Sequence, residues 1–284
     1  MQPLRDSWRR FGARTWFSHY SGDAHPSVLF EGVKFRLTIV LQHVGAAVND
    51  DWYTSPFQRW FPDSRPFLFN QISYSEVPQA LVRQGLVPKL TYDGLAILSA
   101  VAKQKRTVAR SVISAGDYTA YAHRIVAHYI KAFDFVPFFC SARDGQKRSE
   151  DYKPFPFSTE SELKAFSGLL NSSLFYLWFI AYSDVFHCGR DLILDFPADV
   201  LFLSESEDLI TQTDELMQAY RDTAVRRAIP YKATGIVEYD EFYPRKLKDD
   251  IDRIDKVLAP LYGLSEDQID FICNVDVKYR TEVG

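Results

Sequence analysis

The alternation of apolar and polar positions near the N-terminus predicts extended structure. Residues 14–20 are β-prone, and residues 33–41 alternate before closing in the apolar run Leu37-Thr38-Ile39-Val40-Leu41. Between them Ser21-Gly22-Asp23-Ala24-His25-Pro26-Ser27 is rich in breakers, so an antiparallel strand pair with a functional loop is expected. Asn49-Asp50-Asp51, Pro56 and Pro62 then predict a boundary or a long connection. Residues 95–102 read as a helix, and residues 135–140 as a buried strand broken by Pro137, followed by a polar loop over 141–152. Ser158-Thr159-Glu160-Ser161-Glu162 has the form of a capping box, with Ser158 or Thr159 as N-cap of a helix through Leu169 and Leu170. Asn171-Ser172-Ser173 interrupts it, and residues 174–180 follow as a second buried helix or strand. In the last third, residues 205–227 pattern as one helix. Ile251, Ile254, Val257 and Leu258 form the stripe of another, ended by Pro260, and Ser265-Glu266-Asp267-Gln268 opens a further one. No internal repeat is visible. The pattern as a whole predicts a mixed α/β fold.

Composition narrows the class. At 284 residues, and roughly 150 residues per domain, the chain is long enough for two domains. Its apolar and charged shares, 46% and 25%, are those of folded globular proteins rather than disordered ones. Aromatic residues are abundant at 15%, which supplies buried area for a core and also faces for stacking against bases. The net charge of −4 argues against a uniformly basic nucleic-acid coat. That charge is unevenly distributed, however. Residues 195–222 hold eight acids against Arg221 alone, and without them the balance is +3. Cys140, Cys188 and Cys273 are an odd, scattered set that suits a reducing cytoplasm, the expected location. The longest apolar stretch, 174–181, is too short to span a bilayer, so no membrane partner is expected. Arg5, Arg9, Arg10 and Arg14 precede no apolar segment of the secretory kind.

The familiar catalytic motifs are missing. There is no Gly-x-Gly-x-x-Gly or Walker-type loop, no Cys-x-x-Cys or His-Glu-x-x-His, and no Gly-x-Ser-x-Gly. His123 and His128, five apart, would point to different faces of a helix. Glu162-Leu163-Lys164 has the spacing of an acid-x-Lys pair from a nuclease metal site, but its helical setting predicts a surface ion pair. No catalytic residue and no metal ligand is assigned.

Three segments in order resemble one family. The first is Pro26-Ser27-Val28-Leu29-Phe30-Glu31-Gly32-Val33-Lys34-Phe35-Arg36-Leu37-Thr38-Ile39-Val40-Leu41. The second is Leu170-Asn171-Ser172-Ser173-Leu174-Phe175-Tyr176-Leu177-Trp178, with Asp191-Leu192-Ile193-Leu194-Asp195-Phe196-Pro197 after it. The third is Ile251-Asp252-Arg253-Ile254-Asp255-Lys256-Val257-Leu258, continued by Leu261-Tyr262-Gly263-Leu264-Ser265 and reaching Lys278-Tyr279-Arg280. From about Trp16 to Arg280 this succession resembles the C-terminal half of gamma-class adenine-N6 DNA methyltransferases of type II and IIG restriction-modification systems. The resemblance implies remnant strands of a Rossmann-like methyltransferase sheet (residues 1–48), a mixed α/β target recognition domain (49–245) and a C-terminal helical segment (246–284). The family's S-adenosylmethionine loop and Asn-Pro-Pro-Tyr motif are not in this sequence. S-adenosylmethionine is therefore expected only in a complete enzyme, with the catalytic half on a partner chain or a missing N-terminal portion.

The resemblance implies double-stranded DNA as a partner. It places Phe30 where the family sets an aromatic against a flipped adenine, which loses stacking worth a few kcal/mol on leaving the duplex. The other reading of Phe30 is a core aromatic ahead of a strand. Candidate DNA contacts are Lys103, Lys105, Arg106 and Arg110, then Arg143, Gln146, Lys147, Arg148 and Lys153. Asn171-Ser172-Ser173 is expected to satisfy backbone groups at a break. Tyr279 and Arg280 either touch the DNA backbone or close the C-terminus. A competing class is a non-enzymatic specificity subunit similar to type I restriction specificity proteins. It would share the Leu-Asn-Ser-Ser-Leu-Phe segment and leave the Phe30 region unexplained.

Overall fold

The computed structural model describes residues 13–22, 29–30, 35–45 and 51–281. Most of the loop expected at 21–27 and residues 33–34 of the expected 33–41 strand lie outside them; Phe35 and Arg36 are irregular, and the strand begins at Leu37. The fold is mixed α/β, in two compact units. One comprises Met1–Ala102 with Ile180–Asp184, the other Lys103–Phe179 with Val185–Gly284. The division falls at 102/103 rather than at 48/49 or 245/246, because the strands before and after residue 48 share one sheet.

In the first unit β1 (Ala13–Tyr20) and β2 (Leu37–Val44) pair antiparallel, as the alternation predicts. β3 (Trp52–Gln58) runs parallel to β1, and β4 (Ser75–Glu76) completes the order β2-β1-β3-β4. Pro56 marks no boundary; it lies inside β3. Phe17 faces Thr54 whereas His19 faces Phe57, so β3 carries one extra residue there, and a bulge accommodates a ring that has no N–H to donate. Phe17 packs on Trp52 at 5.1 Å between ring centres, beside Val77 and Val87. The buried His19 ring lies 3.0 Å from Thr38 Oγ1 through Nδ1 and 3.1 Å from Thr54 Oγ1 through Nε2, so both nitrogens have partners without water. Helix α1 (Tyr92–Val101) is capped by Thr91, whose hydroxyl accepts from the Gly94 amide, and buries Leu95, Ile97, Leu98 and Val101. The returning segment is tied in by two hydrogen bonds. Lys89 Nζ donates to the Ala181 carbonyl at 2.8 Å, and the Tyr182 hydroxyl donates to that of Leu81 at 2.7 Å.

The second unit contains two antiparallel sheets. β5 (Tyr118–His123) lies between β6 (Ala132–Phe133) and β9 (Tyr152–Phe157). The other sheet has the order β10-β11-β7-β8, from β7 (Phe139–Ser141), β8 (Gly145–Gln146), β10 (Val225–Tyr231) and β11 (Gly235–Glu241). Of the strand expected over 135–140 only Phe139 and Cys140 are extended, at the start of β7; the stretch around Pro137 before them is irregular. His123 is on β5 and His128 in a loop, not on a helix. Helix α2 (Glu160–Asn171) opens with the predicted capping box: the Glu162 amide donates to Thr159 Oγ1, and Glu162 Oε2 accepts from the Thr159 amide. Lys164 forms ion pairs not with Glu162, which is buried in the cap, but with Glu160 at 3.0 Å and Asp214 at 2.9 Å. After α3 (Ser173–Tyr182) come the short α4 (Arg190–Leu194) and α5 (Val200–Leu203), and then α6 (Glu207–Thr223). Helix α6 stops before the end of the 205–227 pattern, because Val225-Arg226-Arg227 begins β10. Helix α7 (Lys248–Leu261) runs one residue past Pro260 rather than ending at it; α8 (Glu266–Asn274) and α9 (Val277–Thr281) follow.

The interruption at 171–173 bends α2 against α3 by 63°. The Asn171 amide donates to the carbonyls of Ala132 (2.7 Å) and Ser167 (2.8 Å), and its oxygen accepts from Tyr220. Ser172 Oγ donates to the Leu169 carbonyl and accepts the Phe175 amide. Asp255 on α7 accepts the amides of Ser173 (2.8 Å) and Leu174 (3.3 Å), the first donors of α3. Arg280 donates to Ser173 Oγ at 2.9 Å and is sandwiched between the Tyr129 and Tyr176 rings, at 4.3 and 4.8 Å. Arg280 therefore closes the C-terminal end of the unit from inside. Among the described residues no single helix is long and apolar enough to cross a membrane.

Helix α2 approaches α6 closely through Gly168, where an added Cβ would meet Thr213 Oγ1 at 2.2 Å. Thr213 is not free to turn away, because its hydroxyl donates to the Leu209 carbonyl at 2.8 Å. Gly168→Ala is expected to cost about 1–3 kcal/mol by overpacking, measured as a lower urea midpoint. Adding Thr213→Ala should recover most of the loss. Equal midpoints for wild type and Gly168→Ala would refute the tight contact.

Candidate nucleic-acid interface

The β7–β8 hairpin turns at Arg143 and Asp144, with Gly145 at φ +71°, a left-handed conformation that suits glycine. The turn gathers Asp144 under two cations: Arg143 donates from Nε (2.8 Å) and Nη2 (3.1 Å), and Lys147 from Nζ (2.8 Å). Those hydrogen bonds hold the Asp144 carboxyl well below the usual carboxylate range. Arg148 instead donates to the Tyr152 carbonyl at 2.6 Å. On the neighbouring hairpin Arg226 pairs with Asp240 across the β10–β11 ladder at 2.7 Å, and its guanidinium lies 3.5 Å from the centre of the Phe138 ring. Arg227 pairs with Glu241 at 2.7 Å and donates to the Tyr243 hydroxyl.

Two cavities adjoin here, sharing Phe138, Phe139, Asp240 and Phe242 in their walls. The first, about 620 Å³, is bordered by the cations Lys147, Arg148 and Arg221. The second, about 470 Å³, lies between the two sheets and is walled by aromatic rings from both, including Tyr152, Tyr231 and Tyr239. His123 and Lys131 also line it. His123 Nδ1 is 2.7 Å from the Ile125 carbonyl, so Nδ1 is the protonated nitrogen and Nε2 is left as an acceptor. Burial, then the Lys131 charge, lowers the His123 pKa to about 4, so the ring is neutral at pH 7. Burial also lowers the Lys131 pKa, opposed by Glu241.

Of the eight cations expected to contact DNA, only two border these cavities. Lys147 and Arg148 border the first cavity, whereas Lys103, Lys105, Arg106 and Arg110 line neither. The run 103–110 is held elsewhere, its Val108 amide donating to the Phe196 carbonyl. Arg106 pairs with Asp199 at 2.7 Å, inside the acidic 195–222 stretch, so the run is not free of acids in space. Arg143 and Lys147 share Asp144. Among the described residues Lys103, Lys105, Arg110, Arg148 and Lys153 pair with no carboxylate. Lys153 lies on β9 opposite Ala122. Phe30 is no core aromatic. Its ring is 53% exposed, next to a buried Leu29 whose carbonyl accepts from Arg65 at 2.6 Å. Sequence reasoning missed the aromatic chamber because its walls come from five separate strands and their connections. It also missed Arg221 and Arg226, whose ring contacts depend on tertiary placement.

One group has the spacing of metal ligands: donor atoms of Asp252, Asp255 and Cys273 lie within 4.8 Å of one another. Lys248 already holds Asp252, and burial with the two neighbouring carboxylates pushes the Cys273 thiol up to about 12. Asp252 is thus held by Lys248 and Asp255 by the amides of Ser173 and Leu174, while the Cys273 thiol beside them stays protonated, between α7 and α8.

No protein-family model, curated protein or solved structure matches the chain.

The neutral His123 ring sets a stability window. Between pH 6.5 and 4 the unfolded chain takes up a proton that the folded chain refuses, so stability falls as pH drops through that range. Asp255 acts oppositely. Its carboxyl is raised to about 6 by burial, so the folded chain keeps a proton that the unfolded chain has released. Relative to His123→Gln, the wild type should lose about 2 kcal/mol more stability between pH 7 and pH 5, measured by chemical denaturation. Parallel pH curves for the two proteins would contradict a buried neutral His123.

Proposed function

We propose that this chain is the DNA-recognition part of a site-specific adenine-N6 DNA methyltransferase of a restriction-modification system. The S-adenosylmethionine-binding, Asn-Pro-Pro-Tyr half would be supplied by a catalytic subunit or segment. Support comes from the ordered sequence resemblance and, in the structure, from one observation: cations border a cavity that adjoins a chamber walled by aromatic rings. Cations neutralise phosphates and release counterions, while aromatic faces and polar edges engage bases. Lys147 and Arg148 are the sequence candidates this arrangement favours, joined by Arg221. Ion pairing tempers the phosphate contribution of Arg143, Lys147 and Arg106, since each must leave a carboxylate to meet a phosphate. Phe30 stays in the proposal as an exposed ring able to stack on a base.

Fluorescence anisotropy with labelled duplexes, with and without a co-expressed catalytic half, tests this reading. Binding should weaken steeply with salt. Lys147→Ala with Arg148→Ala should reduce affinity across all sequences and lower the log-log salt slope by about 2. Absence of duplex binding in both preparations would refute it.

A further inference from the structure

We propose that the aromatic chamber and the cationic cavity beside it form one nucleotide site, in which the chamber takes a single unpaired nucleobase and Lys147 and Arg148 hold its phosphate. This deepens the DNA-binding reading and rests on it, except where the occupant is a free nucleotide.

Shape comes first. The chamber's volume, about 470 Å³, falls in the range of roughly 300–1,000 Å³ typical of small-ligand sites. Its walls are π-faces: Phe139, Tyr231, Tyr239 and Phe242 on the β10-β11-β7 side, Tyr152 on the β9 side. A flat heteroaromatic ring fills such a space better than an aliphatic chain, and base-on-aromatic stacking does not depend on which base is present.

Polar groups narrow the occupant. Most of the chamber's charges are committed to one another: Asp151 accepts from Arg124, Asp240 from Arg226, and Glu241 from Arg227 and Tyr243. Two are not committed. The Lys131 ammonium has no hydrogen bond or ion pair within 4.0 Å among the described residues, with Glu241 acting on it only at longer range. His123 Nε2 is an acceptor because the other nitrogen carries the proton. Among its charged and titratable groups the chamber therefore presents a lysine donor and an imidazole acceptor, beside tyrosine hydroxyls that can serve as either. A nucleobase edge carries both complements, whereas a hydrocarbon or a simple anion carries at most one.

Charge supplies the rest. Phe138, Phe139, Asp240 and Phe242 line both cavities, so an occupant of the chamber has its outer end beside the cavity that holds Lys147, Arg148 and Arg221. Arg221 is engaged by Asp134 at 2.5 Å and lies over the Phe135 ring, whereas among the described residues Arg148 is bound only to a carbonyl oxygen. Arg148 is thus the cation most readily given to a phosphate. A paired base inside a duplex cannot reach a chamber walled on both sides by sheets. The site selects a nucleotide outside the stack, either in a strand or free.

The full chain, alone and with a co-expressed catalytic half, would be titrated with three probes: a fully paired duplex, the same duplex with 2-aminopurine opposite an abasic site, and adenosine 5′-monophosphate. The unpaired probe should bind about tenfold more tightly than the paired one, the scale of one base–aromatic stack, with its 2-aminopurine emission quenched. Tyr239→Ala and Lys131→Met should each remove most of that preference and the quenching. Circular dichroism and thermal melts would confirm that both variants fold. Equal binding of paired and unpaired duplexes by the wild type would overturn the nucleotide site while leaving DNA recognition intact. Binding of the monophosphate that is sensitive to Lys131→Met, with no binding of either duplex, would support the site with a free nucleotide as its occupant and refute DNA recognition. Failure to bind any of the three would overturn both.

Discussion

The second unit depends on one buried carboxylate. Asp255 takes the first two amides of α3 at the point where α2 and α3 bend, and a helix start buried at that depth has no water to serve it. Arg280, drawn in from the C-terminal helix, donates to the Ser173 hydroxyl and fills the space between Tyr129 and Tyr176. Asn171 meanwhile bonds the Ala132 carbonyl on β6. Four parts of the chain far apart in sequence, namely β6, the α2–α3 bend, α7 and α9, are thereby bound to the same few atoms. The desolvated charge is costly, as its raised pKa records, and the amides and guanidinium offset part of that cost in this geometry.

Helices packed around this knot leave the two sheets to form the cleft. The six-residue β5 and β9 pair along their whole length, and the far sheet brings β7 against β11 over three positions. Aromatic rings dominate where the sheets face each other, with Phe133 touching the rings of Phe135, Tyr152, Tyr220 and Phe242. The high aromatic content is thus divided between the core and an accessible wall. Phe133, Phe155, Phe157 and Phe166 are core, whereas Tyr231 and Tyr239 stand at an accessible wall.

Local signals were legible in the sequence and distant ones were not. The capping box at Thr159, the helix start at Ser265 and the backbone bonds of Ser172 depend on neighbours within a few residues, and these are found in the structure, as is the N-terminal strand pair across its loop. Pro56 and Pro260 misled because proline excludes a donor rather than an element: a bulge accepts one, and a last helical turn tolerates the other. The strand β10 was read as helix because Val225-Arg226-Arg227 extends the charged periodicity of α6, and only pairing with β11 makes it extended. The cations of the candidate site were half legible. Their positions along the chain show charge, but whether a lysine faces a phosphate or an aspartate is decided by side chains such as Asp144 and Asp199. The chamber, assembled from two sheets, leaves no local pattern at all.

The return of residues 180–184 to the first unit has a consequence for biosynthesis. Leu81 and Lys89 wait for hydrogen-bonding partners at Tyr182 and Ala181, about a hundred residues downstream. The N-terminal sheet can form as it leaves the ribosome, but its unit is incomplete until α3 has been made. The two units are therefore interleaved in time as well as in sequence, and no single cut of the chain yields both intact.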